Sequence, residues 1–277
     1  MIKLYAFADE ASPMIDGQIA AMKRNGLQGV EMRGVDGQTV TDITLTKAKE
    51  VKAKLDAAGL CTWSIGSPIG KIQITDPFEP HLDKLKHALE LAHTLEAKNI
   101  RMFSFFMPKG EDPANYKNEV IDRLGRFAEA AKGSGVNLCH ENEKGIYGDN
   151  APRCLEILQA VPELKCVFDP ANFVQCGQDT LEAWELLGDR VFYMHIKDAK
   201  ADGFVVPPGS GIGNVQKIVK AFIEKGGKDF TIEPHLTVFK GLADLEQEGD
   251  KSQIGEFKYP DADTAFDVAC QAFKGLI

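Results

Sequence analysis

The sequence has no Cys-x-x-Cys pair, no block of lysine or arginine, and no Gly-x-Gly-x-x-Gly fingerprint. No apolar run approaches the ~20 residues that span a bilayer. Each absence removes a class of function. The six cysteines, at 61, 139, 154, 166, 176 and 270, are scattered, and several fall in strand patterns. Reduced, mostly buried thiols in the cytoplasm are the simplest account. A formal net charge of −9 without a basic cluster argues against nucleic acid or an anionic membrane as partner. Met1-Ile2-Lys3 runs straight into a strand pattern, not into a signal peptide. The nearest thing to a nucleotide loop, Gly209-Ser210-Gly211-Ile212-Gly213, follows no strand and has the wrong spacing.

What remains is ordinary globular composition, 44% hydrophobic and 26% charged over 277 residues, enough to bury a large core. Apolar strand patterns occur at 3–8, 29–33, 61–65, 99–105, 136–143, 164–169, 191–196 and 230–233. Helical periodicity follows each, with Ser12 as the expected cap of the first helix and later helices near 44–58, 80–97, 111–132, 151–161, 181–187, 215–225 and 262–274. Eight strands alternating with eight helices imply parallel strands with helical crossovers. The length suits a (β/α)8 TIM barrel formed by residues 1–277 as a single domain, with a doubly wound open sheet as runner-up. The long polar stretch 237–259 is expected to be a lid or a contact in a homo-oligomer.

Four consecutive strand patterns, the fifth to the eighth, close on a polar residue: Glu141, Asp169, His195 and Glu233. In such a barrel the active site lies at the carboxyl-terminal strand ends, so side chains at equal height on neighbouring strands can converge. Three clustered carboxylates repel one another unless a cation sits among them. Oxygen-rich ligation with one imidazole favours one divalent metal ion, Mn2+ first, with Mg2+, Co2+ and Zn2+ as alternatives. Each residue alone has a bland reading: a turn for Asp169-Pro170, a core histidine for His195, a solvated carboxylate for Glu141 or its neighbour Glu143, and a loop entrance for Glu233-Pro234. The four together are harder to explain that way.

The chain also resembles the xylose isomerase-like (β/α)8 family of sugar and sugar phosphate isomerases and epimerases. The likeness runs through FADEASP at 7–13, GVEMR at 29–33, SPIGKI at 67–72, HENEKGIYGD at 140–149, FDPANF at 168–173, HIKD at 195–198 and EPHL at 233–236. It implies that Glu141, Asp169, His195 and Glu233 bind the metal, and that Glu141 and Glu233 are the acid–base pair. Many epimerases of the family carry a histidine where this chain has Asn172, which places the substrate contacts of that position in question.

The implied chemistry is proton transfer beside a carbonyl, through an enediolate that the metal stabilises. Substrate-side candidates are Arg33, Lys71, Glu143, Asn172, Lys197, Asp198 and His235. A guanidinium at Arg33 suits an anion better than Lys71 does, although Glu31 and Arg33 could pair with each other. Trp63 and Phe105 are read as core or as a wall of the pocket. The substrate class is a small sugar or sugar phosphate. Three other readings are a sugar or polyol dehydratase of the same family, a non-catalytic sugar-binding barrel, and a multi-zinc hydrolase. The last fits six histidines poorly, since 81, 87 and 93 do not share a helix face.

Overall fold

The computed structural model describes residues 1–239, 253–255 and 258–277. Eight parallel strands form a closed barrel: β1 Lys3–Ala6, β2 Gly29–Met32, β3 Cys61–Gly66, β4 Asn99–Met102, β5 Asn137–Glu141, β6 Lys165–Phe168, β7 Val191–Ile196 and β8 Asp229–Ile232. Each strand pairs with the next, and β8 returns to β1 from Lys3 opposite Asp229 to Ala6 opposite Ile232. The connecting helices are α1 Ile15–Arg24, α2 Leu45–Ala57, α3 Glu79–Leu95, α4 Lys117–Ala131, α5 Ala151–Ala160, α6 Thr180–Leu187, α7 Val215–Glu224 and α8 Ala262–Lys274. The fold is the (β/α)8 TIM barrel, and among the described residues no helix is long and apolar enough to cross a membrane.

Alternation along the strands sorts side chains between two cores. Phe168, Met194, Ile196, Phe230 and Ile232 join the large cluster that includes residues of the helices. Cys139, Val167 and Tyr193 pack with Trp63 in a separate cluster inside the barrel. Trp63 stacks on Tyr5 at 4.7 Å, while Phe105 packs on Phe78 and Phe127 at 6.2 and 5.8 Å. Both therefore belong to cores. Glu141, Asp169 and His195 each follow a residue of the inner cluster by two positions, so the same parity carries them into the barrel mouth.

Several local expectations change. The first strand ends at Ala6, and a 3-10 turn, Ala8–Glu10, follows. Helix α1 starts at Ile15, whose N–H donates to the Asp36 carboxylate at 2.9 Å. Ser12 instead accepts from the Met14 N–H, because Pro13 keeps the chain extended before the first turn. The fourth helix is shorter than its pattern, since the 3-10 turn Pro113–Tyr116 precedes it. Of the stretch expected to be a lid, residues 240–252 and 256–257 lie outside the described residues.

Candidate metal centre

Glu141 ends β5, Asp169 follows β6, His195 is the fifth residue of β7, and Glu233 follows β8. All four are buried, and each offers a ligand atom within 4.8 Å of the others. They are not level, as the sequence reading assumed. Glu141 lies opposite Val167 and His195 opposite Thr231, so Asp169 and Glu233 stand two residues further along their strands. The tilt and stagger of barrel strands absorb that offset.

The parts of the site hold one another. Glu141 Oε1 is 2.8 Å from His195 Nδ1, and Glu233 Oε2 is 3.5 Å from the same nitrogen. Asn142 clasps Asp169: its amide donates to the Asp169 carbonyl and accepts from the Asp169 N–H, both at 2.9 Å. Asp169 Oδ1 caps the short helix Pro170–Gln175 by accepting from the Asn172 N–H at 2.9 Å. Its Oδ2 is buried, has no hydrogen bond, and has the Lys197 ammonium at 3.1 Å. The same ammonium is 3.1 Å from Glu233 Oε2. Asn172 donates to Asn142 O at 2.9 Å and to Glu141 Oε1 at 3.3 Å, so its amide faces the cluster.

Titration follows from this crowding. Burial pushes Asp169 up to about 7, with Glu233 and Glu141 adding to the shift and Lys197 opposing it. Burial also works against an ionised Glu233, but Lys197, His235 and His195 hold it well below the usual carboxylate range. Burial disfavours the imidazolium of His195, yet Glu141 and Glu31 hold that group far above its ordinary value. Without a cation, the site therefore keeps a proton on His195 and an oxygen of Asp169 without a hydrogen bond. A divalent ion fits this donor set of three carboxylates and one imidazole, in which Asp169 Oδ2 is buried against the Lys197 ammonium at 3.1 Å.

The sequence reading missed what surrounds the ligands. Glu31, wholly buried, approaches His195 Nε2 at 3.1 Å and accepts from Thr231 at 2.8 Å, Tyr193 at 2.9 Å and Ser64 at 3.3 Å. It fixes the proton on Nε2 and leaves Nδ1 for the cluster. Arg101 Nε lies 3.3 Å from Glu141 Oε2. Asp9 and Glu10, from the turn after β1, enclose Arg33.

The substrate-side candidates divide. Arg33 does not pair with Glu31. It forms a two-pronged bond to Asp9 at 2.9 and 3.1 Å, bonds Glu10 at 2.9 Å, reaches Glu233 at 3.4 Å, and lies between the rings of Phe7 and Phe239. As an anion clamp it is already occupied. Lys71 bonds Glu143 at 3.0 Å and sits over the Phe103 ring at 4.4 Å. Burial would raise Glu143, but Lys71, Lys197 and Lys144 hold it down to about 2. His235 Nδ1 lies 3.0 Å from Glu10 and 3.5 Å from Glu233. Asp198 turns away from the site, as its alternation with Lys197 requires: among the described residues its hydrogen bonds come from backbone N–H groups, of Ala199, Gly209, Gly211 and Gly213. It organises the loop that follows β7. Beside the ligands, a cavity of about 430 Å³ is lined by Asp9, Arg33, Gly66, Lys71, His81 and Lys84.

Known proteins with this architecture include enzymes of two kinds. An inosose dehydratase of Clostridium perfringens is 25% identical over 133 residues, covering 47% of this chain and 44% of that protein. The chain thus matches less than half the length of that relative. The crystal structure of a probable 3-DHS dehydratase, AsbF, from Bacillus anthracis superposes with a TM-score of 0.74 at 17% identity over 99% of each chain. That of D-psicose 3-epimerase from Clostridium cellulolyticum H10 gives 0.75 at 14% identity, over 99% of this chain and 98% of the other. At such identities the two structures speak for the fold. The model of the xylose isomerase-like TIM barrel matches residues 19–247, most of the barrel and all four candidate ligands, and the chain belongs to that family.

Proposed function

We propose that this protein transfers a proton at the carbon beside a carbonyl group of a sugar or polyol, as a divalent-metal-dependent isomerase or epimerase. The observation that carries the reading is the buried convergence of Glu141, Asp169, His195 and Glu233, each with a ligand atom within 4.8 Å of the others. These four would hold the ion, manganese by preference for such a donor set. When bound, it would polarise the substrate carbonyl and so ease removal of the neighbouring proton.

The chain's own residues do the rest. Glu141 and Glu233 face each other across the cluster, and each has a second oxygen directed to an arginine, Arg101 for Glu141 and Arg33 for Glu233. That orients both carboxylates, so one can accept the proton and the other return it. Lys197 is a poor proton donor: burial opposes its charge, but Asp169, Glu233, Glu143 and Glu141 raise its pKa well above the usual lysine range. It serves as a fixed positive charge that binds oxygen. Asn172 offers a neutral amide for a hydroxyl. Burial around the ligands excludes water from the reacting carbon.

A dehydratase is the second reading. It is favoured by the activities named for the inosose dehydratase and the 3-DHS dehydratase, and it begins with the same proton abstraction. Incubation of the Mn2+-loaded protein with ketoses and keto-inositols in D2O separates the two. Deuterium entry at the α-carbon without loss of water supports the isomerase or epimerase, and an enone absorbance supports the dehydratase. Glu233→Gln at saturating metal is expected to abolish deuterium entry while ligand binding persists. Wild-type exchange in that variant would refute the acid–base role.

A further inference from the structure

The charges around the site do not suit a charged substrate. Four cations surround the cluster, and carboxylates answer every one. Arg33 is shared by Asp9, Glu10 and Glu233. Arg101 lies between Glu141 at 3.3 Å and Glu31 at 3.9 Å. Lys71 is taken by Glu143, and Lys197 by Asp169 and Glu233. At the edge of the adjoining cavity Lys84 pairs with Asp42 at 3.1 Å, and Lys144, whose N–H bonds Glu143, is also engaged. Seven carboxylates, those of Asp9, Glu10, Glu31, Glu141, Glu143, Asp169 and Glu233, thus face these four cations around the ligands, and each of the four already has a carboxylate partner.

A second, independent observation concerns the loop after β7. Loops after the seventh and eighth strands are where barrels of this fold commonly seat a phosphate, on backbone N–H groups. Here that loop does converge N–H groups, from Gly209, Gly211 and Gly213, at 2.9, 3.0 and 2.9 Å. The acceptor is the chain's own Asp198. Its carboxylate is so close that a Cβ on Gly211 or Gly213 would lie 2.4 or 2.6 Å from Oδ1. The anion nest is filled from within.

We infer that the substrate is a neutral polyhydroxy carbonyl compound, bearing neither a phosphate nor a carboxylate. The inference rests on the proposed proton-transfer reading and narrows it. The carboxylates around the pocket accept from hydroxyl groups, and Lys197, whose ammonium has a third N–H beyond those facing Asp169 and Glu233, donates to one. A phosphate monoester would find each of the four cations beside the cluster already paired with a carboxylate, and would bring two further negative charges among seven carboxylates.

The test uses matched ligands on the Mn2+-loaded protein: D-fructose and D-fructose 6-phosphate, D-tagatose and D-tagatose 6-phosphate, scyllo-inosose and 3-dehydroshikimate. Deuterium entry is followed by NMR. The neutral member of a reacting pair is expected to exceed its charged partner in kcat/KM by about a hundredfold or more, the order expected when like charges meet in a desolvated site. A charged member that exchanges as fast as its neutral partner, or faster, overturns the inference and leaves proton transfer standing. Absence of exchange in every pair counts against proton transfer instead. Calorimetry with inorganic phosphate decides the charge inference apart from turnover. No saturable binding up to about 10 mM upholds it, and a Kd below about 1 mM in the metal-loaded protein overturns it.

Discussion

Replacing Glu31 by glutamine tests how the metal centre is held by a residue that is not itself a ligand. One oxygen of Glu31 receives Tyr193 and Ser64; the other receives Thr231 and is 3.1 Å from His195 Nε2. A glutamine must place its carbonyl on the His195 side, because that N–H can only donate, and the Tyr193 and Ser64 hydroxyls must rotate to accept from its amide. The shape survives and the charge is lost. Exchanging a charged for a neutral acceptor costs about 1–1.5 kcal/mol, which is roughly tenfold in metal affinity. Part of the loss is returned at low pH. The same carboxylate holds the metal-free His195 protonated, so removing it also weakens the proton that the metal must displace. The deficit is therefore larger at pH 9 than at pH 6. Glu31→Ala removes the acceptor altogether and strands the Nε2–H; the loss should reach about 10–100-fold, with melting lowered as well. Competition with a fluorescent chelator for Mn2+, at both pH values, reads the effect, and circular dichroism checks folding. Affinity of Glu31→Gln within twofold of the unmodified protein at pH 9, or Glu31→Ala no weaker than Glu31→Gln, would refute the reasoning.

Two further outcomes follow from groups away from the ligands. Burial holds His140 down to about 3 and His81 to about 4, Lys84 and Arg123 adding to the shift of His81. Both stay neutral in the folded protein while the unfolded chain takes up a proton near 6.5. Their stability contribution is therefore complete above that value and is lost as pH falls from about 6.5 towards 4. Each contributes a slope of about 1.4 kcal/mol per pH unit. Urea titrations of the unmodified protein and a His140→Asn variant check this, and an unchanged slope in the variant excludes that residue as a cause. Gly70→Ala should destabilise by at least about 2 kcal/mol, because φ is +89° and a Cβ would lie 2.1 Å from the Phe103 carbonyl. A thermal melt within a degree of the unmodified protein would contradict the backbone requirement.

The barrel was legible because strand and helix periods alternate without interruption, and the ligands because a polar residue closes each of four apolar strands. Glu31 and Arg101 left a comparable mark, a charge in the middle of a strand of four residues, on the inward parity. That mark was discounted for Glu31, since a local pair with Arg33 looked sufficient. In the barrel Glu31 meets His195 while Arg33 meets the turn after β1, so a same-face pair became two separate networks. The partnership of Lys71 with Glu143 joins residues 72 positions apart and has no local trace. Asp198 was the reverse case: the HIKD motif drew it to the site, although its alternation with Lys197 already pointed it outward.

The ligands occupy one arc of the barrel, β5 to β8, and the groups that match them in charge stand mostly on the other. Glu31, Arg33, Lys71 and Arg101 all come from the first 132 residues, and the four ligands all come from the remainder. The proposed site thus divides the chain: the later part supplies the four would-be ligands, and the earlier part supplies most of the charged groups packed against them. If the proposed site holds an ion, substitutions in the first part would change what surrounds it while metal stoichiometry stays the same. Changes at the ligand ends of the second half have no such freedom.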